Sequence, residues 1–136
     1  MTTSPIVSVV IPTYNHAHFL RSSLGSVVNQ TFTHWEAVVV NNYSTDDTES
    51  VVRSFNDARI TLVNFHNHGV IAAGRNEGIR LGRGQFVAFL DSDDAWHPQK
   101  LEKCVAALDG GADLVCRAQK WDAALPTRHA ITRGVL

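Results

Sequence analysis

The chain has 136 residues, of which 44% are hydrophobic and 18% charged, a balance typical of one globular domain and not of a disordered segment. Twelve lysine and arginine residues face 13 aspartate and glutamate residues, so the net charge of −1 gives no electrostatic basis for binding nucleic acid. No window approaches the ~20 apolar residues of a membrane span, and residues 1–12 lack the basic start of a signal peptide. We therefore expect a cytoplasmic protein, at most peripheral to the inner face of a membrane, in which Cys104 and Cys116 are reduced, buried thiols.

Short apolar runs alternate with segments of helical periodicity along the chain. In chain order, the predicted elements are a strand at residues 6–11, a helix at 18–29, a strand at 37–40, a helix at 46–55, a strand at 60–63, a helix at 71–81, a strand at 86–90, a helix at 98–108 and a weaker strand at 112–116. Ser44 is expected to cap the second helix with Asp47 as its capping-box partner, and Pro98 is expected in the first turn of the fourth.

This alternation of strands and helices predicts an α/β fold in which a mostly parallel sheet carries helices on both faces. The strands are short and nearly continuous in their apolar residues, as expected when both faces of a sheet are covered. Periodicity ends at residue 117. We therefore expect residues 1–117 to form the folded part, with residues 118–136 as an irregular tail or the start of a further part.

Polar segments follow four of the predicted strands, at residues 12–15, 41–46, 66–69 and 91–94. Because ligands of open α/β sheets bind beyond the carboxyl ends of the strands, we expect these segments to meet at one edge. Two pairs of histidines lie in or beside these segments, but neither has a third ligand at recognisable spacing, so they do not predict a zinc site: His16 with His18, and His66 with His68.

Three carboxylates come directly after the fourth strand. Asp91, Asp93 and Asp94 are separated only by Ser92, and such groups repel one another unless one is protonated or a cation lies among them. Mg²⁺ and Mn²⁺ prefer oxygen ligands, and Mg²⁺ is commonly held by one or two carboxylates together with phosphates. These residues predict a divalent metal that also binds a phosphate, and the alternative is that the acids only cap the following helix.

Two further side chains are candidates for the same site. Arg75 lies near the start of the third helix, where a guanidinium group can bind a diphosphate through paired N–H donors, unless it is simply a solvated helix residue. Tyr14 is placed to stack on a base or ribose, and its alternative is a half-buried tyrosine of the turn.

Four segments together resemble the family 2 glycosyltransferases, which have the GT-A fold. These segments are VSVVIPTYNHAHFLRSSLGSVVNQTF, EAVVVNNYSTDDT, NHGVIAAGRNEGI and FVAFLDSDDAWHPQKLE, in the family's order and over most of residues 6–108. The resemblance implies a three-layer GT-A fold and inverting transfer of a sugar from a nucleotide-diphosphate sugar, with UDP as the expected nucleotide. The acceptor would be a hydroxyl group of a glycan or lipid-linked molecule in cell-wall or polysaccharide biosynthesis.

The resemblance also implies roles for individual residues. Asp93 and Asp91 would hold Mn²⁺ or Mg²⁺ at the diphosphate, and Asp94 would help on the acceptor side without being a convincing catalytic base. The base itself is not identified. The residues implied to bind the substrate are Pro12, Thr13, Tyr14, Asn41, Asn42, Arg75, Asp91 and Ser92.

The sequence departs from the family pattern in two places. The turn after the second strand usually reads Asp-Asp-Gly-Ser in the family, whereas here it is Asn-Asn-Tyr-Ser at residues 41–44, which leaves the choice of base open because an amide both accepts and donates. The spacing from Gly69 to Arg75 is one residue longer than the commonest spacing in the family.

The family's catalytic base and acceptor-binding half lie downstream of the helix that follows its acidic motif, so we expect the donor-binding half here. The alternative is a non-catalytic fragment that binds a nucleotide-sugar.

Two other α/β classes fit the sequence poorly. A phospho-acceptor receiver domain needs an acidic pair after the first strand and an aspartate after the third, where this chain has residues 13–15 (Thr-Tyr-Asn) and 66–67 (His-Asn). A dinucleotide-binding dehydrogenase needs Gly-x-Gly-x-x-Gly after the first strand, and residues 12–15 (Pro-Thr-Tyr-Asn) do not supply it.

Overall fold

A computed structural model describes residues 4–117 and 129–133 of the chain. Every element predicted from the sequence is present, with its ends shifted by at most two residues. The elements are β1 (Val7–Thr13), α1 (Ala17–Val28), β2 (Trp35–Asn41), α2 (Thr48–Ser54), β3 (Ile60–Asn64), α3 (Ile71–Leu81), β4 (Phe86–Phe89), α4 (Lys100–Asp109), β5 (Leu114–Arg117) and β6 (His129–Arg133).

The strands form one six-stranded sheet in the order β3-β2-β1-β4-β6-β5. β1 is central and pairs in parallel with β2 and β4, so that Val7 lies opposite both Trp35 and Phe86. The chain leaves β1 toward β2 and β3 on one side and returns to β4 on the other. The carboxyl ends of β1 and β4 therefore form a topological switch point, where open α/β sheets bind ligands.

Helices cover both faces of the sheet, as predicted. α1, α2 and α4 pack on the face that buries Val9 and Ile11 of β1, and α3 lies on the opposite face above Val10. Right-handed crossovers require this division. The chain steps from β1 to β2 and then to β3 in one direction across the sheet, and the connection from β3 to β4, which contains α3, crosses back in the opposite direction. Burial on both faces accounts for the nearly continuous apolar runs of β1 and β2, in which Ser8 and Glu36 are the buried polar exceptions.

α3 lies unusually close to the sheet because glycines face it. A Cβ atom added at Gly78 would lie 2.3 Å from Cγ1 of Val10, which is fully buried. At Gly74 the added Cβ would be 3.8 Å from both Pro12 Cβ and Val40 Cγ1, an ordinary contact. The close approach at Gly78 determines the height of α3 above β1, and with it the position of Arg75 one turn earlier.

Two predicted helix starts are wrong in detail. Ser44 does not cap α2, because its hydroxyl accepts the backbone N–H of Asn15 and donates to Asn41 instead. α2 begins only at Thr48, and Asp47 makes no side-chain cap hydrogen bond. Pro98 precedes α4, and its carbonyl oxygen accepts the backbone N–H of Thr31 at 2.9 Å.

β6 was not predicted from the sequence. Residues His129–Arg133 form a strand that is antiparallel to both β4 and β5, so this part of residues 118–136 is not irregular. The rest of that segment, residues 118–128 and 134–136, lies outside the described residues. Across the part of the chain that is described, none of the helices combines the length and apolar character that crossing a membrane requires. Cys104 is buried in α4, as predicted.

Candidate functional site

A cleft of about 540 Å³ opens at the carboxyl ends of β1, β2 and β4, beside the switch point of the sheet. Asn41 and Asp94 are the two predicted site residues that do not line it. Eight others do: Pro12, Thr13, Tyr14, Asn42, Arg75, Asp91, Ser92 and Asp93. The cleft also contains His16 and Phe65, neither of which the sequence predicted as a site residue.

The turn after β1 forms one wall of the cleft. Thr13 is buried and its hydroxyl has no hydrogen-bond partner within the described residues, whereas Tyr14 is 54% exposed. Asn15 has a φ of 53°, a left-handed conformation that asparagine tolerates better than most residues. Its side-chain oxygen accepts the backbone N–H of Thr45 at 2.8 Å, which ties this turn to the one after β2.

The two asparagines after β2 have different surroundings. Asn41 is buried, donates to the side-chain oxygen of Asn64 at 3.0 Å and accepts from both the backbone N–H and the hydroxyl of Ser44. Asn42 lines the cleft, and its side-chain oxygen accepts the backbone N–H of Asn67 at 3.1 Å. The amide of Asn41 therefore holds the turn together, and the side-chain N–H group of Asn42 is the one available to a ligand.

Tyr43 and Asp46 complete this turn. Tyr43 has a φ of 50°, in the region that favours glycine, and this is the position where the resembling family has glycine. Asp46 accepts the backbone N–H of Ala17 at 3.0 Å and hydrogen bonds from the hydroxyl and backbone N–H of Thr48. Burial alone raises the pKa of Asp46, but these hydrogen bonds outweigh it and hold the pKa below its ordinary value. The ionised carboxylate thus joins the starts of α1 and α2.

The acidic residues form a tight turn at the end of β4. The backbone N–H of Leu90 still bonds to the sheet, at the carbonyl of Val10, and the N–H of Asp94 then closes the turn on the carbonyl of Asp91. One carboxylate oxygen from each of Asp91, Asp93 and Asp94 lies within 4.8 Å of the others. Such a set of hard oxygen ligands fits Mg²⁺ or Mn²⁺.

Arg75 reaches the acidic turn from α3. One terminal nitrogen, Nη2, donates to Oδ1 of Asp91 at 3.0 Å, and the guanidinium carbon lies 5.9 Å from the centre of the Phe89 ring. Its Nε is buried without a hydrogen-bond partner among residues 4–117 and 129–133. The positive charge offsets part of the repulsion among the carboxylates, and the remaining donors are available to an anion in the cleft.

Comparisons with known proteins agree with this arrangement. Residues 8–122 match glycosyl transferase family 2. WfgD of Escherichia coli, named UDP-Glc:alpha-D-GlcNAc-diphosphoundecaprenol beta-1,3-glucosyltransferase, is 38% identical over 103 residues, which cover 76% of this chain and 41% of WfgD. The chain thus spans about two fifths of the length of that relative.

Solved structures show the same fold. TarS from S. aureus in complex with UDP superposes with a TM-score of 0.83 at 29% identity, covering 90% of this chain and 38% of the TarS chain. The mannosyltransferase PcManGT from Pyrobaculum calidifontis, solved with GDP-Man and Mn²⁺, gives a TM-score of 0.81 at 26% identity, covering 97% of this chain and 45% of that one. The family match over residues 8–122 and these close structural likenesses, which confirm the predicted GT-A fold, establish that the chain belongs to glycosyltransferase family 2.

Proposed function

We propose that the cleft binds a nucleotide-diphosphate sugar, with UDP as the nucleotide, and that the chain is the donor-binding part of an inverting glycosyltransferase. The observation that carries the proposal is the ion pair of Arg75 with Asp91, one of three clustered carboxylates, in the lining of a cleft of about 540 Å³. An arginine and a cation site side by side suit a ligand that carries adjacent phosphates. The UDP named with TarS and the UDP-Glc in the name of WfgD support uridine as the nucleoside.

The cleft wall suggests how the nucleoside is held. Tyr14 is exposed beside the buried Thr13, so its ring is available for stacking on the base or ribose. Asn42 stands where the family pattern has an aspartate. Because its side-chain oxygen already accepts the N–H of Asn67, its side-chain N–H group is the part that can donate to a carbonyl of the base. We assign no contact with the base to Asn41, because its amide is occupied by Asn64 and Ser44.

The phosphate end of the ligand is assigned to the acidic turn and Arg75. Asp93 and Asp91 would hold Mn²⁺ or Mg²⁺, and the fit rests on the three carboxylate oxygens within 4.8 Å of one another. When bound, the metal supplies Lewis-acid neutralisation of the departing diphosphate. Arg75, which pairs with Asp91, would direct its remaining donors at the phosphate oxygens.

The acceptor is assigned only by chemical class. A hydroxyl group of a glycan or lipid-linked molecule would attack the anomeric carbon from the face opposite the diphosphate, and a general base would take its proton. Asp94, which lies outside the cleft lining, is a candidate for the acceptor side, and we assign no residue as the base. The alternative function is binding of the nucleotide-sugar without transfer. For either function, we propose that the chain works in the cytoplasm or at the cytoplasmic face of a membrane.

Calorimetry with UDP, GDP and dTDP, each with Mn²⁺ and with EDTA, tests the proposal. We expect UDP to bind most tightly and its affinity to fall at least about 100-fold in EDTA, since carboxylates left without a cation repel the diphosphate. Absence of heat with all three nucleotides would contradict the proposal. Release of free sugar from a UDP-sugar by the chain would favour the enzyme, and tight binding without release would favour the binding-only alternative.

Replacing Arg75 by alanine is expected to weaken UDP binding by about tenfold to 100-fold, because hydrogen bonds to charged groups contribute about 1.5–3 kcal/mol each. Uridine, which has no phosphates, should lose less than about threefold, since its partners are at the other end of the cleft. Calorimetry with the two ligands measures the difference. Arg80→Ala on the same helix, which removes an arginine paired with Glu77, is the matched control. Equal losses for UDP and uridine would mean that Arg75 does not bind the phosphates.

A further inference from the structure

A hydrogen bond joins the two sides of the switch point. Nδ1 of His16 lies 2.7 Å from the hydroxyl oxygen of Ser92, which is 3% exposed. His16 follows the turn after β1, and Ser92 lies in the acidic turn after β4, so the bond connects the nucleoside side of the cleft with the carboxylates. The imidazole tautomer sets which of the two atoms donates.

The position of Ser92 gives this bond a consequence for the carboxylates. Ser92 lies between Asp91 and Asp93 in the sequence. Of these three residues, Ser92 is the buried one, whereas Asp91 is partly exposed and Asp93 is exposed. Arg75 holds Asp91 from α3, on one face of the sheet, and His16 holds Ser92 from the start of α1, on the other. The acidic turn is thereby held from both faces just beyond the point where β4 stops pairing with β1.

The imidazole of His16 is not needed to form α1. His16 is the residue that precedes the helix, and its carbonyl oxygen accepts the N–H groups of Phe19 and Leu20, but its side chain makes no cap hydrogen bond. The ring instead packs edge-on against Phe19, with 5.7 Å between the ring centres, and its Nδ1 reaches Ser92. Removing the ring would leave the buried hydroxyl of Ser92 without this partner.

We propose that His16 is a positioning residue for the metal and diphosphate end of the site, acting through Ser92 on the orientation of Asp91 and Asp93. This inference rests on the proposed function. It predicts that His16→Ala lowers the affinity for UDP in Mn²⁺ about tenfold and changes the affinity in EDTA by less than about twofold. His16→Asn, whose amide nitrogen and oxygen lie near the position of Nδ1, should restore most of the loss.

Calorimetry with UDP in Mn²⁺ and in EDTA tests this on five variants of the chain. Ser92→Ala should behave as His16→Ala, and the double variant should lose no more than either single one, because both remove the same bond. His34→Ala is the matched control, since the exposed His34 packs beside Phe32 and does not line the cleft. Equal losses in Mn²⁺ and EDTA, additive losses in the double variant, or no rescue by asparagine would each overturn the proposal.

Amide hydrogen exchange without any ligand gives an independent readout. The N–H of Asp94, which closes the acidic turn, should exchange at least about fivefold faster in His16→Ala and return toward the original rate in His16→Asn. The amides of Leu24 and Val27 in α1 should not change. If the unaltered chain binds no UDP, the proposed function fails, but the exchange measurement still tests the positioning role of His16. Unchanged exchange at Asp94 in His16→Ala would overturn that role.

Discussion

Replacing Asp93 by alanine is expected to lower the affinity for UDP in Mn²⁺ by at least about 100-fold and to leave the fold intact. Loss of an outer-sphere partner of a metal site already costs about 10–100-fold, so loss of a ligand should cost at least the upper end of that range. Asp93 is exposed and lines the cleft, so the substitution removes no core packing. Calorimetry with UDP and Mn²⁺ measures the loss, and circular dichroism and urea unfolding verify the fold.

Two further variants sharpen this result. Asp93→Asn keeps an oxygen ligand and removes the charge, so its affinity should lie between those of the original chain and Asp93→Ala. Asp109→Ala removes an exposed acid at the end of α4 that does not line the cleft. This substitution should change neither the affinity for UDP in Mn²⁺ nor the fold. Unchanged Mn²⁺-dependent affinity in Asp93→Ala would refute the metal role of this residue.

Replacing Gly78 by alanine is expected to destabilise the protein by about 1–3 kcal/mol, the usual cost of inserting a methyl group into a filled core. The new Cβ would lie 2.3 Å from Cγ1 of Val10, a stiff β-branched side chain that is fully buried and has no room to turn away. This cost outweighs the helix propensity of alanine, which favours it over glycine by about 1 kcal/mol. Urea unfolding measures the change in the free energy of unfolding.

The control for Gly78 lies in another helix. Gly25 in α1 has no atom within 4 Å of an added Cβ, so Gly25→Ala should stabilise the protein by up to about 1 kcal/mol. If Gly78→Ala were as stable as Gly25→Ala, α3 would not be held at its height by contact with β1. Because α3 carries Arg75, we also expect Gly78→Ala to weaken UDP more than uridine.

The sheet could be predicted because its strands carry a strong local signal. β1 and β2 are buried on both faces, so their sequences are largely apolar, with the buried Ser8 and Glu36 as exceptions, and the polar residues that follow mark the carboxyl ends. Strand and helix alternation then brings those ends together by topology alone, which is how Arg75 and Asp91, 16 residues apart, were both predicted in one site.

Other features depend on contacts that local sequence does not encode. Ser44 is a good helix cap by type, but its hydroxyl is used between Asn15 and Asn41, so α2 starts later. Asn41 and Asn42 look equivalent in the sequence, and they are separated by the bonds of Asn41 with Asn64 and Ser44 and by the bond of Asn42 with Asn67. The signal for His16 was weak, since the sequence shows only that it follows a turn at the end of β1.

The place of β6 in the sheet has a consequence for how the protein is made. β6 pairs with the outer edge of β4, the strand that ends in the aspartates, yet it is synthesised after α4 and β5. While the nascent chain emerges from the ribosome, that edge of β4 is open to any other strand. Synthesis interrupted before residue 129 should therefore yield chains that associate through the open edge of β4. Once β6 has paired with β4, that edge is covered.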